Sequence, residues 1–173
     1  MNWMTRLLLI ALFLISWYFV ELGPYGTREV AKYNEGYGTF DMKKYGVEDV
    51  RRVLGKMEET GLHVYRMYYL FDFIFVIFFG AVQCMLLLDL YRAWKHPVLF
   101  GILCLVPVFR GLFDCVENGI LLHTLYHVET IRALPIRIAS FCTQCKLWMI
   151  RVWILEVLIG MIGRGRLIWI SVL

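Results

Sequence analysis

Among the charges and amides set inside runs of apolar residues, which include Gln83, Gln144 and Glu156, seven are candidates for one site: Asp72, Arg110, Asp114, Glu117, Asn118, Lys146 and Arg151. Charge within such a run is expensive. It turns toward the protein interior or a water-filled cavity, which makes it a functional-site candidate. Spacing groups four of the seven. Positions 110, 114, 117 and 118 are i, i+4, i+7 and i+8, one stripe of a helix. Pro107 lies on the same stripe and is placed to bend the helix just below it. Three acids, one amide and three bases can neutralise one another by pairing, which burial demands. A cavity built around them would bind a lipid-like or amphiphilic small molecule. If it also transforms that molecule, the chemistry is general acid–base, with two of Asp72, Asp114 and Glu117 in unlike protonation states. The alternative, from another class, is a structural or accessory membrane subunit whose buried ion network only fixes helix packing.

The elements that must position these groups follow from composition. The chain is 60% hydrophobic, against about 45–50% for a soluble domain, so the excess faces something other than water. Four apolar stretches cover residues 4–22, 68–91, 98–126 and 137–163, and a membrane span needs about 20 such residues. The expected fold class is all-α: an integral membrane four-helix bundle, one transmembrane domain over residues 1–173. Residues 7–20 lack the polar face of a soluble helix. Glu21 to Tyr25 is a poor small-residue cleavage site, so the first stretch reads as a retained span. At about 1.5 Å of rise per residue, Asp72 falls about 9 Å below the outer end of the second helix. Glu117 and Asn118 fall about 10–15 Å below the third, and Lys146 about 13 Å below the fourth. Arg110 and Arg151, about 18 Å from the inner side, are expected to form a layer beneath. Tyr65, Tyr68, Tyr69, Phe73, Phe75, Trp148 and Trp153 lie near that level.

Topology follows from the short ends and turns. Arg6, Arg92, Lys95, Arg164 and Arg166 all fall on one side of a four-span chain. The positive-inside rule assigns that side, with both termini, to the cytoplasm. The loops at residues 23–67 and 127–136 face out. In the first, Tyr25-Gly26, Tyr37-Gly38 and Tyr45-Gly46 are turn signals. Val47, Val50, Leu54 and Met57 then recur at helical spacing, predicting one amphipathic helix from Val47 to Thr60 with Gly61 as its stop. That helix reads as a surface-lying connector rather than a functional lid.

The remaining signals are weaker. Cys142-Thr143-Gln144-Cys145 is a C-x-x-C motif, as in four-helix membrane thiol oxidases, but neither outer loop holds the second, shuttling cysteine pair. Thiol redox is therefore a lesser alternative, and small buried cysteines are the plain reading. His123 and His127 form an i, i+4 pair without a clear third ligand, so no metal is expected. No cofactor is expected either, since neither a glycine-rich phosphate loop nor a nucleophile elbow occurs. The net charge of +4 is scattered, which excludes nucleic acid as a partner. The expected partners are membrane lipids and a hydrophobic small molecule. A homo-oligomer or a membrane partner fits the same surface.

The chain resembles a family of uncharacterised bacterial four-helix membrane proteins. The resemblance is carried by Tyr45-Gly46-Val47-Glu48, by residues 61–65, by residues 69–75, by Asp114-Cys115-Val116-Glu117-Asn118, and by Lys146-Leu147-Trp148. A D-x-x-E-N run and a lysine-tryptophan pair recur in that family. Where its members often have arginine after the glycine closing the loop helix, this chain has Leu62. The resemblance implies a multi-pass protein of the bacterial inner (plasma) membrane and carries no activity. A looser, architectural similarity is to the EXPERA group of sterol isomerases and sigma-type receptors. Those proteins also have four helices, a long first loop and acidic residues in an outer-half cavity for cationic or sterol-like ligands, but no diagnostic motif is shared.

Overall fold

The structure is a computed structural model that describes residues 2–91 and 97–172, with side chains described for 2–91, 99 and 101–163. Arg92 and Lys95 lie outside the described residues, as do the side chains of Arg164 and Arg166. The described residues are helical, without a strand. Four long helices form the frame: α1 (Trp3–Glu21), α4 (Glu59–Tyr91), α5 (Pro97–Tyr126) and α6 (Ala133–Val172). Between α1 and α4 lie two short helices, α2 (Thr27–Lys32) and α3 (Val47–Leu54). A single 3-10 turn, Val128–Thr130, joins α5 to α6.

Helix α1 starts where the Asn2 side chain accepts the Thr5 amide at 2.8 Å. It ends at Gly23, whose amide donates to Tyr18 O at 2.8 Å, just ahead of Pro24. Helices α5 and α6 pack against each other, and both pack on α4; α1 packs chiefly along α4. That seam is aromatic, with Phe13 stacked on Phe79 and Phe19 on Phe71 at 5.7 and 5.2 Å between ring centroids. At its far end Arg6 pairs with Asp89 at 2.7 Å, so the start of α1 and the end of α4 share one side. Helices α1 and α4 are each long and apolar enough to cross a membrane, though α1 lies near the N-terminus, where a signal sequence has the same character. Helix α5 is interrupted by Arg110, Asp114 and Glu117, and α6 by Lys146, Arg151 and Glu156. Away from these residues both expose large apolar side chains, among them Leu105, Leu112, Val116, Leu155 and Ile162.

The first loop is not a surface connector. Val30, Phe40, Val50, Leu54 and Tyr65 are at most 1% exposed, and they form one core with Leu121, Leu125, Ile136 and Ala139 of α5 and α6. Burying a Val or Leu side chain contributes about 1.5–3 kcal/mol, so several together fix the loop over the end of the bundle away from Arg6 and Asp89. Two of the Tyr-Gly pairs start helices, with Gly26 and Gly46 as the N-caps of α2 and α3. The third makes a turn: Gly36 and Gly38 take φ of 79° and 76°. The Asn34 side chain brackets that turn, donating to Gly38 O at 2.7 Å and accepting from Gly38 N at 3.0 Å.

The single helix expected from Val47 to Thr60 is two. Helix α3 closes at Leu54, where the Gly55 amide donates to Arg51 O at 2.9 Å. Helix α4 then begins at Glu59, nine residues ahead of the apolar stretch at 68–91 that announced it. Gly61 is therefore not a stop. It sits in the first turn of α4 under Tyr33, where an added Cβ would come within 2.6 Å of Tyr33 Cβ. Gly61→Ala is expected to lower stability by about 1–3 kcal/mol through this overlap, read as a lower thermal midpoint in detergent. Gly80→Ala, with open space around its Cβ, is the control, and equal midpoints for the two variants would contradict the seating of Tyr33 on α4.

Candidate functional site

Six of the seven expected residues converge. The α5 stripe faces inward as its spacing required, with Arg110, Asp114, Glu117 and Asn118 all at most 5% exposed. Within α5, Arg110 Nη1 donates to Asp114 Oδ2 at 2.9 Å. From α6, Lys146 Nζ donates to Asp114 Oδ1 at 2.7 Å and lies 2.8 Å from Glu117 Oε2. From α4, Asp72 Oδ2 accepts the Asn118 amide at 2.7 Å. The Arg110 guanidinium also donates to Val76 O at 3.3 Å and lies 4.5 Å over the Phe79 ring. Buried charge is thus met by opposite charge and by hydrogen bonds, as its desolvation requires.

Arg151 does not join them. Five residues past Lys146 a helix has turned about 140° further round, and Arg151 is exposed, its guanidinium 5.0 Å over Trp148 on the outside of α6. The expected layer of Arg110 and Arg151 is therefore absent. Trp148 also faces away, at 62% exposure. Phe79, not named from the sequence, takes the place below Arg110.

Three more participants escaped the sequence reading. Asp41 descends from the loop between α1 and α4, is buried, and accepts a hydrogen bond from Tyr68. Among the acids of residues 23–67 it alone lies between two large apolar neighbours, Phe40 and Met42, and that was the available signal. Tyr45, also from the loop, donates to Glu117 Oε1 at 3.3 Å. Thr143 donates to the same oxygen at 2.5 Å; it lies three residues before Lys146, on the same face of α6. Ser140 Oγ completes the loop's seat by donating to Tyr45 O at 2.7 Å.

Beside this network lies a cavity of about 520 Å³, within the range of small-molecule sites. Asp41, Asp72, Arg110, Asp114 and Lys146 form its polar side, and Trp17, Val20, Phe75 and Ile150 its apolar side. The charges are therefore paired directly and also border open volume. Burial drives the Asp41 carboxyl above the ordinary carboxylate range, with Lys146 and the Tyr68 hydroxyl opposing that shift. Burial, then the charge of Glu117, raises the Tyr45 phenol.

His123 and His127 stack at 4.4 Å at the exposed C-terminal end of α5. Among the described residues no three His, Cys, Asp or Glu side chains gather as metal ligands. Cys142 and Cys145 are both free, Cys142 being buried. The chain matches no protein-family model, no curated protein and no solved structure.

The Asp41 shift has a sign that can be measured. Its folded-state pKa is raised, so between the ordinary carboxylate value of about 4 and the raised value the folded state holds the extra proton. Stability then falls as pH rises through that window. Asp41→Asn removes the ionisation while keeping an acceptor for Tyr68. The stability of the variant relative to the parent is expected to rise from acid to alkaline pH, followed by thermal unfolding across the range. A difference that does not change with pH would refute the burial-driven shift.

Proposed function

We propose that the protein is a multi-pass membrane protein whose outer-half cavity binds or transforms a lipid-like or amphiphilic small molecule. The observation that carries this reading is the cavity of about 520 Å³ that shares its wall with the buried ion network. Charge in an apolar span is retained where it serves a site, and an apolar wall facing a few convergent polar groups is the usual form of a ligand pocket. In this reading α1, α4, α5 and α6 all span the membrane, and the exposed apolar side chains of α5 and α6 meet lipid. Arg6 marks the cytoplasmic side with both termini, and the packed loop covers the outer mouth. The bacterial inner membrane, and membership of the four-helix family with the D-x-x-E-N run, rest on the resemblance of residues 114–118 and 146–148.

A structural or accessory role is the second reading. Its specific support is that Arg110, Asp114, Lys146 and Glu117 already close on one another by direct contact. Such a network can fix helix register without any ligand.

Ile150→Trp separates the readings, and Asp114→Asn tests the ion network under both. Asp114→Asn leaves Arg110 and Lys146 short of an acceptor and is expected to destabilise the bundle by about 3–5 kcal/mol under either. Ile150→Trp fills the cavity from its apolar side and replaces no member of the ion network. Native mass spectrometry of the detergent-purified parent is expected to reveal a stoichiometric small-molecule or lipid adduct. Ile150→Trp should lose that adduct while keeping the parent's thermal midpoint. A parent without any adduct, or an adduct indifferent to Ile150→Trp, would favour the structural reading.

A further inference from the structure

Helix α6 has two unlike faces. Lys146 is buried in the bundle. Half a turn round from it, Arg137, Phe141, Gln144, Trp148, Arg151 and Leu155 recur at alternating steps of four and three, which makes one narrow stripe along the helix. Five of the six are exposed, and Gln144 is half-buried. Among the described residues Arg151 pairs with no acid, and its guanidinium meets only the Trp148 ring, 5.0 Å away. The Gln144 amide finds no partner among them either.

Depth makes this arrangement costly. Gly160 lies against Leu90 and Tyr91, beside the Arg6–Asp89 pair that marks the cytoplasmic end. At about 1.5 Å per residue, Arg151 sits about 14 Å above Gly160 and about 21 Å below Arg137, within a hydrocarbon core about 30 Å thick. The Cα–Cβ bond of a helical residue tilts toward the N-terminus. The guanidinium accordingly reaches up to Trp148 and not down to the cytoplasmic surface. A stripe that met only lipid would be apolar throughout, and an arginine inside a span is retained where another group meets it.

We propose that this stripe docks a transmembrane helix of another membrane protein, one that carries a carboxylate level with Arg151 and apolar side chains against Phe141, Trp148 and Leu155. The inference rests on the membrane-spanning reading of α6 and does not depend on the cavity. A guanidinium brings five donors, and a ring face leaves its charge without a counterion. Alternation of four and three is the spacing of a left-handed helix pair. A second copy does not supply the acid. In a two-fold pair of α6 helices within one membrane, Arg151 would face Arg151. Asp72, Asp114 and Glu117 are buried inside each bundle. Glu156 lies about 140° further round α6 than Arg151, with its Oε2 buried.

The test uses the full chain in phosphatidylcholine vesicles at neutral pH. The probes are three dansylated polyleucine spans that carry Glu, Lys or Leu at one central position. Association is followed by energy transfer from the tryptophans of the chain. The Glu span is expected to bind roughly tenfold tighter than the other two, the worth of one charge-assisted hydrogen bond. Arg151→Leu should erase that preference. Leu155→Ala should weaken binding of the Glu span, and Ile154→Ala, exposed on the flank of α6, should leave it unchanged. Equal binding of the three spans, or a Glu preference that survives Arg151→Leu, overturns the proposal. Energy transfer between donor-labelled and acceptor-labelled copies of the chain, lost in Gln144→Leu, assigns the stripe to a second copy and also overturns it. Labelling of Arg151→Cys by a membrane-impermeant maleimide, beyond the level of the parent, puts the residue in water and removes the spanning of α6 as well. Protection of that cysteine without a Glu preference removes the docking face alone.

Discussion

The burial of one ammonium group organises most of the loop-covered half of the molecule. Lys146 is 3% exposed on a helix with apolar neighbours, and a charge so placed must be met directly or neutralised. It is met by Asp114 and Glu117, which lie three positions apart and so share a face of α5. That contact sets the depth of α6 against α5. It also leaves Glu117 Oε1 free to accept from Thr143 and Tyr45, which draws the outer loop down onto the bundle. Asp114 in turn holds Arg110, whose second guanidinium nitrogen reaches Val76 on α4. Three helices and a loop are thus indexed to a single cation.

The fully buried apolar residues gather at the same end. The main core joins the loop to the first turns of α4 and α6 and the last turns of α5, whereas a smaller cluster around Leu87, Leu90 and Tyr91 supports the opposite end. Polar groups recur there at another level. The Gln83 side chain is fully buried with both polar atoms unpartnered, while its backbone carbonyl accepts from Trp153 at 3.4 Å. The ion network therefore works as a collar beneath the loop, with the cavity on its α1 side.

The sequence carried the α5 stripe, because helical spacing alone puts positions 110, 114, 117 and 118 on one face, and apolar flanks say which way that face must turn. It carried Asp72 and Lys146 through depth. Depth misled for Arg151, because rise along a helix says nothing of azimuth. The loop was the least legible part. Helix α2, six residues long, is too short to show apolar periodicity, and the loop's burial depends on partners more than sixty residues away, as with Tyr45 and Glu117. The split between α3 and α4 was hidden because Met57 continues the apolar spacing past Gly55, where the helix stops.

The attachment of α1 has a consequence for selectivity. Only Ser16 and Val20 of that helix are buried, and beside the cavity its seam with α4 is a row of rings, the Arg6–Asp89 ion pair lying at the far end. The ion network is rigid by comparison, since each of its members is fixed by directional contacts to other helices. The cavity therefore has one hard wall and one soft wall. A guest whose polar end mismatches the hard wall must leave buried charge unmet, while a guest whose bulk mismatches the soft wall only has to slide rings past one another. Discrimination by such a chamber is strict in polarity and lenient in girth.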